Sequence, residues 1–194
     1  MGADRNMYSG KWHLLPNSVF LNWPPYRGEK SIADVARRIV YEQQIIPGSI
    51  VIGSSLGGIV ACEISHQIKL KNLILIGSAK QKSEINGLLA ILHPLIDLAP
   101  LQFTQRIVSK IPNEIIQMFS QSEPEFIRAM CRAIFEWHGL NSNIGEPLRI
   151  HGTKDRVIPL PAGVQYVLDG GHLLAIKKAA ECIKIVQEVL ATKS

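Results

Sequence analysis

The run Ile50-Val51-Ile52-Gly53-Ser54-Ser55-Leu56-Gly57-Gly58 constrains the fold more than any other stretch of the chain. Three β-branched apolar residues in succession suit a strand buried on both faces, the kind found in parallel sheets. The strand meets a Gly-x-Ser-x-Gly sequence, then an apolar-patterned stretch over residues 57–69 that reads as a helix. A strand that passes at once into a helix needs a sharp turn, with the central Ser55 on it and its Oγ pushed out above the sheet. Gly53 and Gly57 flank the turn because side chains there would collide with neighbouring backbone. Gly58 lets the helix pack close to the next strand. At that helix start the backbone N–H of Leu56 can face a developing negative charge. As a bare string the pattern is a weak signal; its place between a buried strand and a helix gives it weight. A Gly-rich turn without chemistry and a phosphate-binding turn are the competing readings. For the second, neither a Walker Lys-Ser/Thr nor a G-x-G-x-x-G is present.

The rest of the chain alternates in the same way. Residues 18–21 (Ser-Val-Phe-Leu) read as a short buried strand before Trp23-Pro24-Pro25. Ser31 reads as an N-cap with Asp34 three residues on, a capping-box variant, and a helix follows over 32–44. Further strands are predicted at 70–77, 147–151 and 164–168, and a closing helix at 173–191. Residues 84–138 differ: they hold no clear strand and four helix-like stretches cut by Pro94, Pro100, Pro112 and Pro124. The last of these puts Ile127, Met130, Ile134 and Trp137 on one face. The pattern predicts an α/β fold, a parallel sheet of about five strands with helices on both faces. Residues 1–83 and 139–194 form its core, and 84–138 is a helical insertion.

Composition narrows the function classes. The chain has 194 residues, 46% hydrophobic and 19% charged, which excludes a disordered or solvating polymer. No apolar run reaches membrane-spanning length, and residues 1–12 lack the apolar region of a signal peptide. The net charge of +5 is spread in pairs such as Arg37-Arg38 and Lys177-Lys178, with no aromatic stripe beside them. That argues against a nucleic-acid partner. Cys62, Cys131 and Cys182 are odd in number and widely spaced. They read as free buried thiols in a reducing, cytoplasmic compartment, and neither a metal nor a cofactor is called for.

A nucleophilic serine needs a base, and the base needs an orienting carboxylate. Asp155 stands in the loop after the fourth predicted strand, in His151-Gly152-Thr153-Lys154-Asp155. Such loops, at the carboxyl ends of parallel strands, line the site crevice. His172 follows the fifth strand in Asp169-Gly170-Gly171-His172-Leu173, where two glycines allow the imidazole to reach over the sheet. Asp169 is a rival acid but lies too near His172 in sequence to orient it comfortably, and Asp97 falls within the insertion. His13, His66, His93 and His138 read as packing or solvated residues. His151, at a strand end, could donate structurally to the Asp155 turn.

The three segments G-x-S-x-G, H-G-T-x-D and G-G-H-L together resemble the α/β-hydrolase superfamily, over nearly the whole chain. The resemblance implies Ser55 as nucleophile, His172 as base, Asp155 as acid and the Leu56 N–H as an oxyanion donor. It assigns the five strands to the superfamily's fourth to eighth, with Asn22 to Gly28 at the loop after the fourth. It also puts 84–138 at the cap position between the sixth and seventh. The expectation is therefore a form lacking the first three strands. Met1-Gly2-Ala3-Asp4 resembles the end of the loop that supplies the second oxyanion donor. The slot so left is expected to close by direct pairing of residues 18–22 with 49–53; a homodimer covering that edge is the other solution. The activity implied is hydrolysis of a carboxylic ester or related small acyl substrate through an acyl-enzyme. The alternative is a catalytically weak or inactive protein of the same fold that binds a small apolar ligand under the cap.

Overall fold

The strand Asn72–Ile76 (β2 below) carries the simplest statement of the architecture. All five of its residues are buried. Leu73 and Leu75 join one hydrophobic cluster, while Ile74 and Ile76 join another, so the strand is covered on both faces. This is the period-2 alternation of a central parallel strand. Coordinates come from a computed structural model that describes residue 8 and residues 10–85 and 124–192. Met1-Gly2-Ala3-Asp4 and most of the 84–138 segment, with His93, Asp97 and the stretches around Pro94, Pro100 and Pro112, lie outside the described residues.

Among the described residues the sheet has four strands, β1 (Ile50–Ser54), β2 (Asn72–Ile76), β3 (Leu148–Gly152) and β4 (Tyr166–Leu168). They lie in the order β1-β2-β3-β4, and every neighbouring pair is parallel. The helices are α1 (Ile32–Glu42), α2 (Leu56–Gln67), α3 (Pro124–Glu136), α4 (Leu174–Lys177) and α5 (Ala179–Thr192). Val35, Ala36 and Ile39 of α1, Ile59, Val60 and Ile64 of α2, and Met130 and Ile134 of α3 share one core cluster. On the other face, Ile150 of β3 packs with Leu174, Ile183 and Val186 of α4 and α5. Trp12, from a 3-10 turn at Gly10–Leu14, joins them.

The start of α1 follows its local chemistry. Ser31 Oγ accepts the Asp34 N–H at 3.1 Å, and Asp34 Oδ2 accepts the Ser31 N–H at 3.1 Å. A cap of this kind stabilises a helix by about 1 kcal/mol.

Two sequence expectations need correction. Residues 18–21 form no strand, so among the described residues the sheet has four strands, slightly below the expected five, and no ladder pairs 18–22 with β1. The segment still behaves as an edge: Phe20 packs on the cluster of one face and Leu21 on that of the other. Aromatic packing stands where ladder bonds were expected. Tyr8 stacks on Phe20 with ring centroids 5.8 Å apart and meets Trp12 edge-on at 5.4 Å. Burial pushes the Tyr8 phenol up to about 12, against the opposing pull of the Ser54 backbone at the end of β1. The closing helix is also broken, at Lys178, into α4 and α5. Trp12 Nε1 donates to the Ala175 carbonyl at 2.7 Å, an acceptor that a continuous helix would have offered to the Ala179 N–H.

Candidate active site

Ser55 occupies the turn between β1 and α2 with φ 52° and ψ −126°. That conformation costs a non-glycine residue about 1–3 kcal/mol, so the surroundings must hold it. They do so from three sides. The Ser55 N–H donates to Ile76 O at 3.2 Å, extending the β1–β2 ladder by one bond. The Ser55 carbonyl accepts the Gly58 N–H at 2.9 Å and the Ser78 hydroxyl at 2.7 Å. A Cβ on Gly53 would stand 2.3 Å from the Gly57 carbonyl oxygen, so the turn closes only with glycine there; at Gly57, against the sequence expectation, a Cβ would meet nothing within 4 Å. Leu56 is the first residue of α2, and the first N–H groups of a helix have no acceptor within it.

The structure brings the sequence-predicted residues together. Ser55 Oγ lies 2.8 Å from His172 Nε2, and His172 Nδ1 lies 2.9 Å from Asp155 Oδ2. Asp155 and His172 are both buried. Asp155 sits in the loop after β3, and His172 in the loop between β4 and α4, both at the carboxyl end of the sheet. The two loops meet over Gly152, where an added Cβ would fall 2.2 Å from the Gly170 carbonyl oxygen. That close approach brings His172 across towards β1.

The Asp155 carboxylate is saturated with donors. Oδ1 accepts the Val157 and Ile158 N–H groups, each at 2.9 Å. Oδ2 accepts from His172 and faces His151 Nε2 at 3.3 Å. Burial would push this carboxyl up. The hydrogen bonds from His151 and His172, the charge of an imidazolium at His172 and the Ile158 N–H outweigh it, holding the group well below the usual carboxylate range. Asp155 therefore stays ionised at every pH where an imidazole can act as a base.

The other candidates fall away. Asp169 is exposed and pairs with Lys154 Nζ at 2.7 Å. His66 bonds Glu63 on α2 and receives the Asn141 N–H. Burial pushes Cys62, Cys131 and Cys182 up to about 12, so none is a thiolate nucleophile. Among the described residues no cluster of three His, Cys, Asp or Glu side chains is arranged to hold a metal ion, and no helix is long and apolar enough to cross a membrane.

Sequence reasoning missed two supports. One is Ser78, whose hydroxyl holds the Ser55 carbonyl from the loop after β2. The other is Arg149, 1% exposed on β3, whose guanidinium grips both oxygens of Glu84 at 2.9 Å each. Glu84 in turn accepts the Lys80 N–H at 2.8 Å, which fixes the loop carrying Ser78. A charged residue in the middle of a predicted buried strand was the available signal, since such a charge needs a partner. An open groove of about 510 Å³ runs between Lys80, Gln81 and Glu84 on one side and Pro159 and Pro161 on the other; Ser55 and His172 do not line it.

Comparison with solved structures agrees with this architecture. A thermophilic esterase from Thermogutta terrifontis superposes with a TM-score of 0.68 at 16% identity, covering 98% of this chain and 86% of that one. An esterase from Exiguobacterium antarcticum gives 0.66 at 15% identity, over 97% of this chain and 88% of that one. The enol-lactonase from Burkholderia xenovorans LB400 gives 0.65 at 19% identity, over 98% and 88%. No protein-family model matches the sequence, and no curated protein does. The sheet order, the strand-to-helix turn at Ser55 and these superpositions define the class: the chain has the α/β-hydrolase fold.

Proposed function

We propose that this protein is a serine hydrolase acting on carboxylic esters or related small acyl compounds, with Ser55 as nucleophile, His172 as base and Asp155 as the orienting acid. The observation that carries the reading is the continuous relay Ser55 Oγ–His172 Nε2 at 2.8 Å and His172 Nδ1–Asp155 Oδ2 at 2.9 Å. Asp155 holds the proton of His172 on Nδ1, leaving Nε2 to accept the Ser55 proton as Oγ adds to the substrate carbonyl. The oxyanion forms beside the start of α2, where the Leu56 N–H donates to it. Collapse expels the alcohol, which takes the proton from His172 Nε2. Water, deprotonated by the same nitrogen, then releases the acid and restores Ser55. No step calls for a metal or cofactor. The similar structures carry the names esterase and enol-lactonase, which supports an ester as the substrate class. Residues 84–138 are read as the cap insertion; its last helix, α3, packs into the core, and the Leu, Ile and Phe of residues 86–123 favour an apolar acyl or alkyl group.

A fluorophosphonate probe together with p-nitrophenyl esters tests the proposal. The expected result is covalent labelling of the wild-type protein and loss of both labelling and turnover in Ser55→Ala. Undiminished ester turnover in that variant would move the chemistry elsewhere. A folded wild type that neither labels nor turns over would leave the ligand-binding alternative.

A further inference from the structure

We propose that His151 is a positioning residue for the acid of this site, holding Asp155 in place and sharing its Oδ2 with His172; the inference rests on the hydrolase reading above. His151 is the fourth residue of β3, and its side chain is 1% exposed while that of Asp155 is fully buried. Its Nε2 lies 2.8 Å from the Ile158 carbonyl oxygen and 3.3 Å from Asp155 Oδ2. Both neighbours are acceptors, so Nε2 must carry the proton, which fixes the tautomer. Ile158 closes the arrangement, since its own N–H donates to Asp155 Oδ1 at 2.9 Å. One imidazole thus ties the strand to the far end of the 155–158 turn and to the carboxylate that the turn carries. Among the described residues, His151 and His172 are the ionisable side chains that contact Asp155.

Through Ile158 and Oδ2, His151 fixes the geometry of the acid and, through the acid, the placing of the His172 ring. It touches no substrate, being buried behind the acid, so its loss falls on kcat more than on KM.

The test compares His151→Leu, which keeps bulk without a donor, with His151→Gln, which keeps a donor. Readouts are kcat and KM on p-nitrophenyl acetate and the ring-nitrogen shifts of His151 in ring-labelled protein. In His151→Leu, kcat should fall about 10-fold with KM within about 2-fold, and His151→Gln should recover most of the loss. A folded His151→Leu with wild-type kcat would overturn the proposal, as would equal losses in both variants. If His151→Leu does not fold, the wild-type ring spectrum decides: an Nε2-protonated His151 supports the proposal, and an Nδ1-protonated one ends it. Wild-type protein without Ser55-dependent turnover would sink the hydrolase reading alone, because the His151 ring spectrum still tests the contact with Asp155.

Discussion

Arg149 and His151 are alternate residues of β3, so they share a face, and each meets a carboxylate held on a loop at the carboxyl end of the sheet. Glu84, after β2, receives a bidentate guanidinium and two backbone N–H groups. Asp155, after β3, receives two backbone N–H groups and two imidazoles. The two sites look alike as hydrogen-bond inventories, yet differ in the partner's charge. A guanidinium is a permanent cation, so the charge of Glu84 is neutralised at all times and its work is to tie two loops together. Asp155 meets imidazoles and backbone N–H groups, so on the proposed mechanism its charge is the one available to a cation formed on His172. One strand face thus carries a permanent ion pair at position 149 and a contact with the proposed acid at position 151.

The comparison can be broken most sharply at the reacting end. Ser55→Ala should lower ester turnover by about 10³-fold or more while costing no more than about 1 kcal/mol of stability, because the change removes the proposed nucleophile and a single hydrogen bond to His172. Asp155→Asn keeps shape but presents an amide where a carboxylate oriented the imidazole; a loss of up to about 10⁴-fold in kcat is expected. A variant with turnover within a few-fold of wild type would show that Asp155 is no different in kind from Glu84. The converse change is Arg149→Met. It strands a partly buried Glu84 without its cation, so urea unfolding should show a loss of about 3 kcal/mol, with turnover per folded molecule nearly unchanged. A large drop in kcat at wild-type stability would erase the distinction between the two pairs.

Smaller effects sharpen it further. Ser78→Ala removes the hydroxyl bond to the Ser55 carbonyl and should cost about 1 kcal/mol in unfolding experiments. Asp155 also leaves a signature in acid. Its folded-state pKa lies below the unfolded value of about 3.9, so its stabilising contribution is complete above that pH. The contribution is lost as pH falls from about 4 towards the folded-state value. Unfolding measured against pH should therefore show a steeper acid decline in wild type than in Asp155→Asn; equal slopes would mean the carboxylate is not held as the geometry implies.

Much of this site could be read before the fold was known, because its parts carry local signatures. The turn at Ser55 needs Gly53 for a steric reason that operates within five residues, and Asp155 and His172 each follow a strand directly. The choice of Asp155 over Asp169 was harder to read. Both are aspartates in loops at strand ends, and only packing buries one and leaves the other paired with Lys154 at the surface. Arg149 was legible only as an anomaly, a charge inside an apolar run, since its partner Glu84 stands 65 residues away.

The same division runs through the whole molecule. By itself the sequence determined those elements whose energetics close within a turn or two of chain. These include the Ser31–Asp34 capping box that starts α1, the strands β1 and β2, and the strand-to-helix turn at Ser55. Tertiary structure alone decided the features that depend on distant partners. Residues 18–21 have a strand's composition but form no ladder, and their aromatic Phe20 packs against Tyr8 instead. The closing helix has unbroken helical periodicity, yet Trp12 takes the Ala175 carbonyl across 163 residues of sequence and divides it. Local signals are strong when a single turn of chain satisfies its own hydrogen bonds. Where those bonds can be met equally well by a distant side chain, burial and packing choose the partner, and the fold must form before that choice exists.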